Sequence, residues 1–485
     1  MDIPQPHVVI VGGGIAGLAA AFFLRDAPVR VTVLEGQPRI GGKLAVSEIA
    51  GIAVDEGAES LLVTRPEGTD LIAAVGLADQ RVAPGTTAAA IWTRGALRPL
   101  PRRQFMGVPS DMRELGASGV VSGAGLARAG QDLSLPPTPR EGDVAVADYV
   151  AARFGPEVVD RLVDPLLGGV YAGLASELSF EATLPALAAA SRRHSSLAEA
   201  AGSLLPPEPD GGAAQGGTRR QVFTTLAGGL GALPSVLGKE SGADLRTGAI
   251  VRELARTADG WRLTVGSAAD PEYVTADAVI LATPARPAGR LLSSVAGSAA
   301  AALGEIRYAS MAIVTLAYPR QAVPASARQG SGYLVPAVDG HAVKAVTVST
   351  VKWPHLAEAA AAELDIVRCS VGRIGEEALL QRSDDELAAL AAAELAEATG
   401  VAGAPAATRV SRWGGGLPQY TVGHLDRVAR IRAAVAALPG LAVSGAAYDG
   451  VGIPACVATA RAAVDQIMTY LGSARRGPGA DCPPR

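Results

Sequence analysis

Cysteine is scarce: Cys369, Cys456 and Cys482 are the only three in 485 residues. They lie too far apart to staple a small fold, and no two stand at metal-ligand spacing. Five histidines do not cluster either, so the sequence offers no metal centre. Lysine is almost missing, at positions 43, 239, 344 and 352 only, against 39 arginines. That skew, with abundant alanine and glycine, reads as a GC-rich coding bias and weakens arginine counts as functional evidence. Nor is there an excess of positive charge. With 43 basic and 47 acidic side chains the net charge is −4, which excludes a general nucleic-acid binder. No uninterrupted run of about 18 apolar residues occurs, so no membrane span is expected, while peripheral contact with a membrane stays open. The N-terminal apolar run is broken by glycines, unlike a secretory signal, so a cytoplasmic location is expected. Disorder is excluded as well, since 49 % of residues are hydrophobic and 19 % charged.

What is present is most legible in the first forty residues. His7 to Val11 is a short apolar run rich in β-branched residues, as in a buried parallel strand. Gly12-Gly13-Gly14-Ile15-Ala16-Gly17 follows, then an alanine- and leucine-rich helical stretch to Leu24, then a second strand from Val29 to Leu34 that ends at Glu35. This is the dinucleotide fingerprint in its structural context. The first glycine permits the tight turn, the second lets backbone approach a pyrophosphate, and the third lets helix pack on strand. The helix N-terminus offers free N–H groups to the phosphates. Glu35 stands where a carboxylate accepts hydrogen bonds from ribose hydroxyls.

Further along, Ala276–Ala282 and Leu441–Gly445 read as buried strands, and Ala455–Leu471 as an alanine-rich helix. Val346–Val351 and Asp365–Val371 suit a different sheet. Residues 145–200 are largely helical by pattern, whereas 107–143 and 202–220 read as loops, the second of them mobile. No fixed-period repeat occurs.

A second glycine pair after the acid, Gly36 and then Arg39-Ile40-Gly41-Gly42-Lys43, and the run Val54-Asp55-Glu56-Gly57-Ala58-Glu59-Ser60 resemble the flavin amine oxidases, phytoene desaturases and protoporphyrinogen oxidases. In that superfamily the glycine pair and the Asp-x-Gly turn line the flavin. The resemblance implies non-covalent FAD, with Arg39 or Lys43 meeting the pyrophosphate; as bare sequence, both also read as solvated charges. Gly248-Ala249-Ile250-Val251 resembles the strand whose valine backbone meets adenine. Gly445-Ala446-Ala447-Tyr448-Asp449-Gly450-Val451-Gly452-Ile453-Pro454 resembles the motif whose helix N-terminus faces the flavin ring.

Two segments narrow the likeness. Gly169-Val170-Tyr171-Ala172-Gly173 resembles a turn of porphyrinogen oxidases, although Leu174-Ala175 departs from the Asp that commonly follows. Arg412-Trp413, Pro418-Gln419-Tyr420 and Gly423-His424 have the spacing of the protoporphyrinogen and coproporphyrinogen oxidases; Trp413 and Tyr420 serve equally as core residues beside a cofactor. The fold implied is α/β: a Rossmann-like FAD domain with an inserted mixed-sheet substrate domain and a helical domain. The expected spans are 1–90, 221–300 and 410–472 for FAD, 91–220 mainly helical, 301–409 for substrate, and 473–485 a flexible tail.

The reaction implied is six-electron oxidation of a porphyrinogen, with O2 as acceptor and H2O2 as product, in heme biosynthesis before hand-over to a chelatase. Glu59 is expected near the flavin, steering a pyrrole N–H. Arg65 is expected to meet a propionate, with Tyr171 also at the substrate; Arg65 reads as readily as a solvated arginine. The pair Glu59 and Arg65 is similar to the coproporphyrin-forming bacterial branch, which favours coproporphyrinogen III. Protoporphyrinogen IX is the alternative. A flavin amine oxidase or carotenoid desaturase, or a tetrapyrrole-binding flavoprotein without turnover, is more distant.

Overall fold

The computed structural model describes residues 5–206 and 222–476. Its first sheet is wholly parallel, with strands in the order Asp244–Arg246, Arg30–Leu34, His7–Val11, Ala278–Leu281 and Leu441–Val443. Both faces are covered over His7–Val11, Ala278–Leu281 and Leu441–Val443, which is why these strands are almost wholly apolar rather than alternating, whereas the edge strand Asp244–Arg246 is polar at both ends. Val8 and Ile10 pack towards the helices Ile15–Phe23, Leu233–Glu240 and Ile453–Arg476. Val9 and Val11 pack towards an antiparallel sheet of Val251–Arg256, Trp261–Gly266 and Pro271–Ala276, and towards the helices Ala285–Leu292, Gly297–Gly304 and His424–Ala436.

A second sheet has seven strands, in the order Ala407–Pro418, Tyr308–Pro319, Leu364–Val371, Val343–Val348, Gly332–Leu334, Ala90–Thr93 and Ala96–Pro99. All its pairs are antiparallel except Gly332–Leu334 with Ala90–Thr93. Because strand side chains alternate, Val367, Cys369 and Val371 pack on one face under the helix Asp384–Thr399, while Arg368 is delivered to the other. That helix is held in register at its start by a capping box between Ser383 and Glu386. The strands Ala90–Thr93 and Ala96–Pro99 bring the chain into this sheet at the start of the span 91–220 expected to be mainly helical.

The helical layer has its own core, with Leu115, Val150, Phe154, Leu162 and Phe180 buried. Two expectations are corrected here. Residues 107–143 are not simply loop: helices run over Met112–Ser118 and Gly123–Gly130. Their start signals are Asp111, whose carboxylate accepts from Arg113 N and Glu114 N, and Ser122, whose hydroxyl accepts from Gly125 N. Both helices are short and glycine-containing, which hides the apolar period. The C-terminal helix continues to Arg476, so the tail expected from Ser473 is helical at its start; 477–485 lie outside the described residues. Most of the segment expected to be a mobile loop, 207–220, lies outside them too. No helix among the described residues is long and apolar enough to cross a membrane.

Candidate active site

The fingerprint loop joins the first strand to the helix Ile15–Phe23. Gly17 is compulsory on steric grounds, because a Cβ there would lie 1.9 Å from Gly12 O. Gly14 differs: a Cβ would meet nothing within 4 Å. Space is therefore kept clear beside the backbone at the helix N-terminus, whose cap residue Gly14 supplies no side chain for the free amides of Ile15, Ala16 and Gly17. This open, donor-rich cradle fits a pyrophosphate. Gly41 N donates to Gly13 O at 2.8 Å, and a Cβ on Gly42 would lie 3.2 Å from Gly14 Cα, so the two glycine clusters form one surface.

Glu35 ends the second strand with its carboxylate accepting from Gly13 N and Gln37 N, each at 2.7 Å. Its own carbonyl accepts from Ala249 N at 2.8 Å, which brings Gly36, Ile250 and Val251 alongside. These residues fit the ribose and adenine end of a dinucleotide. Arg39 curls back onto Gly42 O at 2.9 Å and Ile40 O at 3.3 Å, bracing the loop. Lys43 has no hydrogen-bond or ion-pair partner among the described residues, and burial pushes its ammonium below the ordinary value. A shielded, uncompensated cation beside the cradle fits an anionic cofactor.

The turn 55–60 lies against Lys43, whose carbonyl accepts from Ala58 N at 3.4 Å. The seven-stranded sheet holds that turn from its other side. Trp413 Nε1 donates to Glu56 O at 3.0 Å, Arg409 pairs with Glu56 at 2.5 Å, and Arg368 donates to Gly57 O at 2.7 Å. Glu59, followed by Ser60, is clamped between Lys352 Nζ at 2.6 Å and the Arg368 guanidinium. Burial alone would push the Glu59 carboxyl up, but the two cations overcome it and hold it at about 2. At neutral pH Glu59 is thus a fixed anion and hydrogen-bond acceptor, not a base. Asp55 caps the turn before Leu233–Glu240 through Leu230 N and Gly231 N, and burial raises it to about 6 against those donors.

The C-terminal motif closes the opposite side. Gly445 N donates to Thr459 Oγ1 at 2.9 Å, and Gly450 N donates to the Tyr420 hydroxyl at 2.8 Å. Tyr420 OH donates in turn to Ala446 O at 2.7 Å, pinning both ends of the turn that leads through Val451 and Gly452 into the helix starting at Ile453. Tyr171 stands 5.7 Å from the Tyr420 ring, and Gln419 Nε2 donates to Tyr171 O at 2.7 Å. A Cβ on Gly450 would lie 3.9 Å from Arg65 Nη1. Arg65, 42 % exposed along its side chain, pairs with Glu67 at 2.8 Å. Contacts thus link candidate residues from distant stretches: a Cβ on Gly445 would lie 3.9 Å from Ala16 Cβ, and Gly450 stands beside Arg65 and, through Tyr420, near Tyr171.

Over residues 15–468 the sequence matches the model of the flavin-containing amine oxidoreductases. The chain belongs to that family. As a flavin-containing amine oxidoreductase it uses FAD, and the cradle described above fits that cofactor. It is 39 % identical over 468 residues to a coproporphyrinogen III oxidase of Mycobacterium tuberculosis, covering 95 % of this chain and 97 % of that protein. It is 30 % identical to a protoporphyrinogen oxidase of Macaca fascicularis, covering 95 % and 98 %. A crystal structure from Exiguobacterium sp. 255-15, described only provisionally as a protoporphyrinogen oxidase, superposes with a TM-score of 0.84 at 31 % identity, covering 96 % of this chain and 99 % of that one.

Lys352 and Arg368 were not legible as site residues of this oxidoreductase. One signal existed for the first: a lysine in a chain that otherwise uses arginine. Arg368 gives none, being one of 39 arginines, placed only by sheet register.

Proposed function

We propose that this protein oxidises coproporphyrinogen III to coproporphyrin III with non-covalently held FAD, using O2 and releasing H2O2, in the heme pathway ahead of a chelatase. What supports this reading, beside the family match, is the run of contacts that links the fingerprint helix at Ala16 to Gly445, and Gly450 to Arg65 and, through Tyr420, to Tyr171, with Glu59 clamped on the turn that lies against Lys43. FAD supplies hydride acceptance from the methylene bridges of the macrocycle, whose flanking pyrroles delocalise the resulting cation. The residues of the chain bind, orient and exclude. Glu59 offers a permanently ionised acceptor to a pyrrole N–H, and Tyr171 packs on Tyr420, its ring tilted by 50°, behind the turn at Gly450. Arg65 exchanges Glu67 for a propionate. The amides of Val451, Gly452 and Ile453 and the helix beginning at Ile453 oppose developing negative charge at the ring they face. Cys456 is buried, and its thiol is pushed up to about 11, so it stays a neutral thiol, in keeping with non-covalent FAD.

Coproporphyrinogen III carries four propionates, protoporphyrinogen IX two propionates and two vinyl groups. Polar partners left facing vinyls in a desolvated site cost about 1–3 kcal/mol each. With purified protein, kcat/KM for coproporphyrinogen III is expected to exceed that for protoporphyrinogen IX by at least about tenfold, read by porphyrin fluorescence and peroxide together. A preference for protoporphyrinogen IX would reassign the substrate. Turnover of polyamines or phytoene would remove the protein from porphyrin chemistry.

A further inference from the structure

Behind the Glu59 clamp lies a small cavity that none of the roles above uses. Glu59, Arg368, Asp55 and the half-buried His355 are among the residues that line it. Five polar atoms of residues lining it have no protein partner: Thr225 Oγ1, Ser349 Oγ, Trp353 Nε1, His355 Nδ1 and Arg368 Nε. Thr225, Ser349 and Trp353 are 1 %, 0 % and 1 % exposed. Such atoms cannot be left unpaired in a dry site without a penalty each. The Trp353 and Arg368 nitrogens are donors only, so whatever satisfies both must accept twice. The Thr225 and Ser349 hydroxyls can donate or accept, so the same occupant can satisfy them by donating. Water does both, whereas a bound anion would sit against Asp55 and Glu59.

We propose that this cavity, with about 10 Å³ of space for water, holds one ordered water that relays a proton from Glu59 and Arg368, by way of Asp55, to His355. The proposal rests on the porphyrinogen reading. In each two-electron step a C–H bond breaks and its electron pair leaves as hydride to the flavin, later reoxidised by O2. A proton is released as well, from a pyrrole N–H in two of the three steps and from a meso carbon in the other, so that four C–H and two N–H bonds are lost in all, and each proton must depart. Glu59 accepts a hydrogen bond from that N–H but, clamped by two cations, does not keep the proton. Water passes it to the Asp55 carboxylate, which faces Arg368 and Glu59. From Asp55 it reaches His355, which faces Glu358 and Glu59 and is kept mainly neutral by burial, and so leaves.

Two measurements decide this. A crystal structure of the FAD-loaded protein that resolves solvent should place a water within hydrogen-bond distance of both Trp353 Nε1 and Arg368 Nε. A dry cavity there overturns the proposal. Separately, Ser349→Ala and His355→Gln should each slow anaerobic flavin reduction by porphyrinogen about tenfold, enlarge its solvent isotope effect and shift its pH profile, with flavin content unchanged. Asp55 is left intact because its loss would also uncap a helix. An unmoved pH profile and isotope effect in both variants would also overturn the proposal. If the wild type reduces its flavin with neither porphyrinogen, the functional reading falls and the proton path with it, while the crystal structure still decides whether the cavity is wet.

Discussion

Arg368 ties the seven-stranded sheet to the turn at 55–60: it binds the Glu59 carboxylate with one Nη and the Gly57 carbonyl with the other, at 2.7 Å. A guanidinium can do this because its fork is planar and always charged. The turn at 55–60 is therefore set by a strand more than 300 residues further along the chain.

Removing that guanidinium should be costly. Arg368→Met leaves Glu59 half-compensated in a buried site, and breaking a buried pair in this way costs about 3–5 kcal/mol. Urea denaturation should register that loss, and the double variant Arg368→Met with Glu59→Gln should recover part of it. Equal stability of wild type and single variant would show that Lys352 suffices.

The fingerprint glycines should fail differently. Gly14→Val is expected to fold but to lose FAD, because its side chain enters clear space beside the cradle. Gly17→Ala must push against Gly12 O and should lose both cofactor and thermal stability. Flavin released per chain, read by absorbance, and the melting curve separate the two outcomes.

Arg65 should act through KM. A charge-assisted hydrogen bond contributes roughly 1.5–3 kcal/mol, so Arg65→Ala should raise KM for coproporphyrinogen III about 10- to 100-fold. Glu67 competes for the same guanidinium at 2.8 Å, and Glu67→Gln should therefore lower KM. Unchanged kinetics in both variants would return Arg65 to a solvated surface charge.

His424 should make the fold acid-sensitive. It is fully buried, stacks on Tyr420 at 3.8 Å and lies 3.1 Å from Tyr448 O through Nε2. Burial lowers it to about 4 from an ordinary 6.5. The unfolded chain binds a proton below about 6.5 while the folded one resists until about 4. The contribution of His424 is thus complete above pH 6.5 and is lost progressively as pH falls towards 4, on the order of 3 kcal/mol in all. Denaturation at several pH values should show that slope flattened in His424→Gln.

The sequence by itself determined the β-α-β start, the glycine clusters, Glu35 and the C-terminal turn. These are local: adjacent residues must take up one strand–turn–helix geometry to present amides to a phosphate, and few residue types allow it. It also carried the buried strands at Ala278–Leu281 and Leu441–Val443, whose unbroken apolar runs need cover on both faces. It concealed the helices at Met112–Ser118 and Gly123–Gly130, which are too short to show a period. Only tertiary structure decided what surrounds Glu59. Lys352 and Arg368 come from different segments of the second sheet region, and strand alternation, not any motif, turns Arg368 towards the turn while its neighbours Val367 and Cys369 enter the core. A lone acid at position 59 could have been a base. Two cations placed by folding make it a fixed anion, because a charge taken out of water is kept only where opposite charge is already in position.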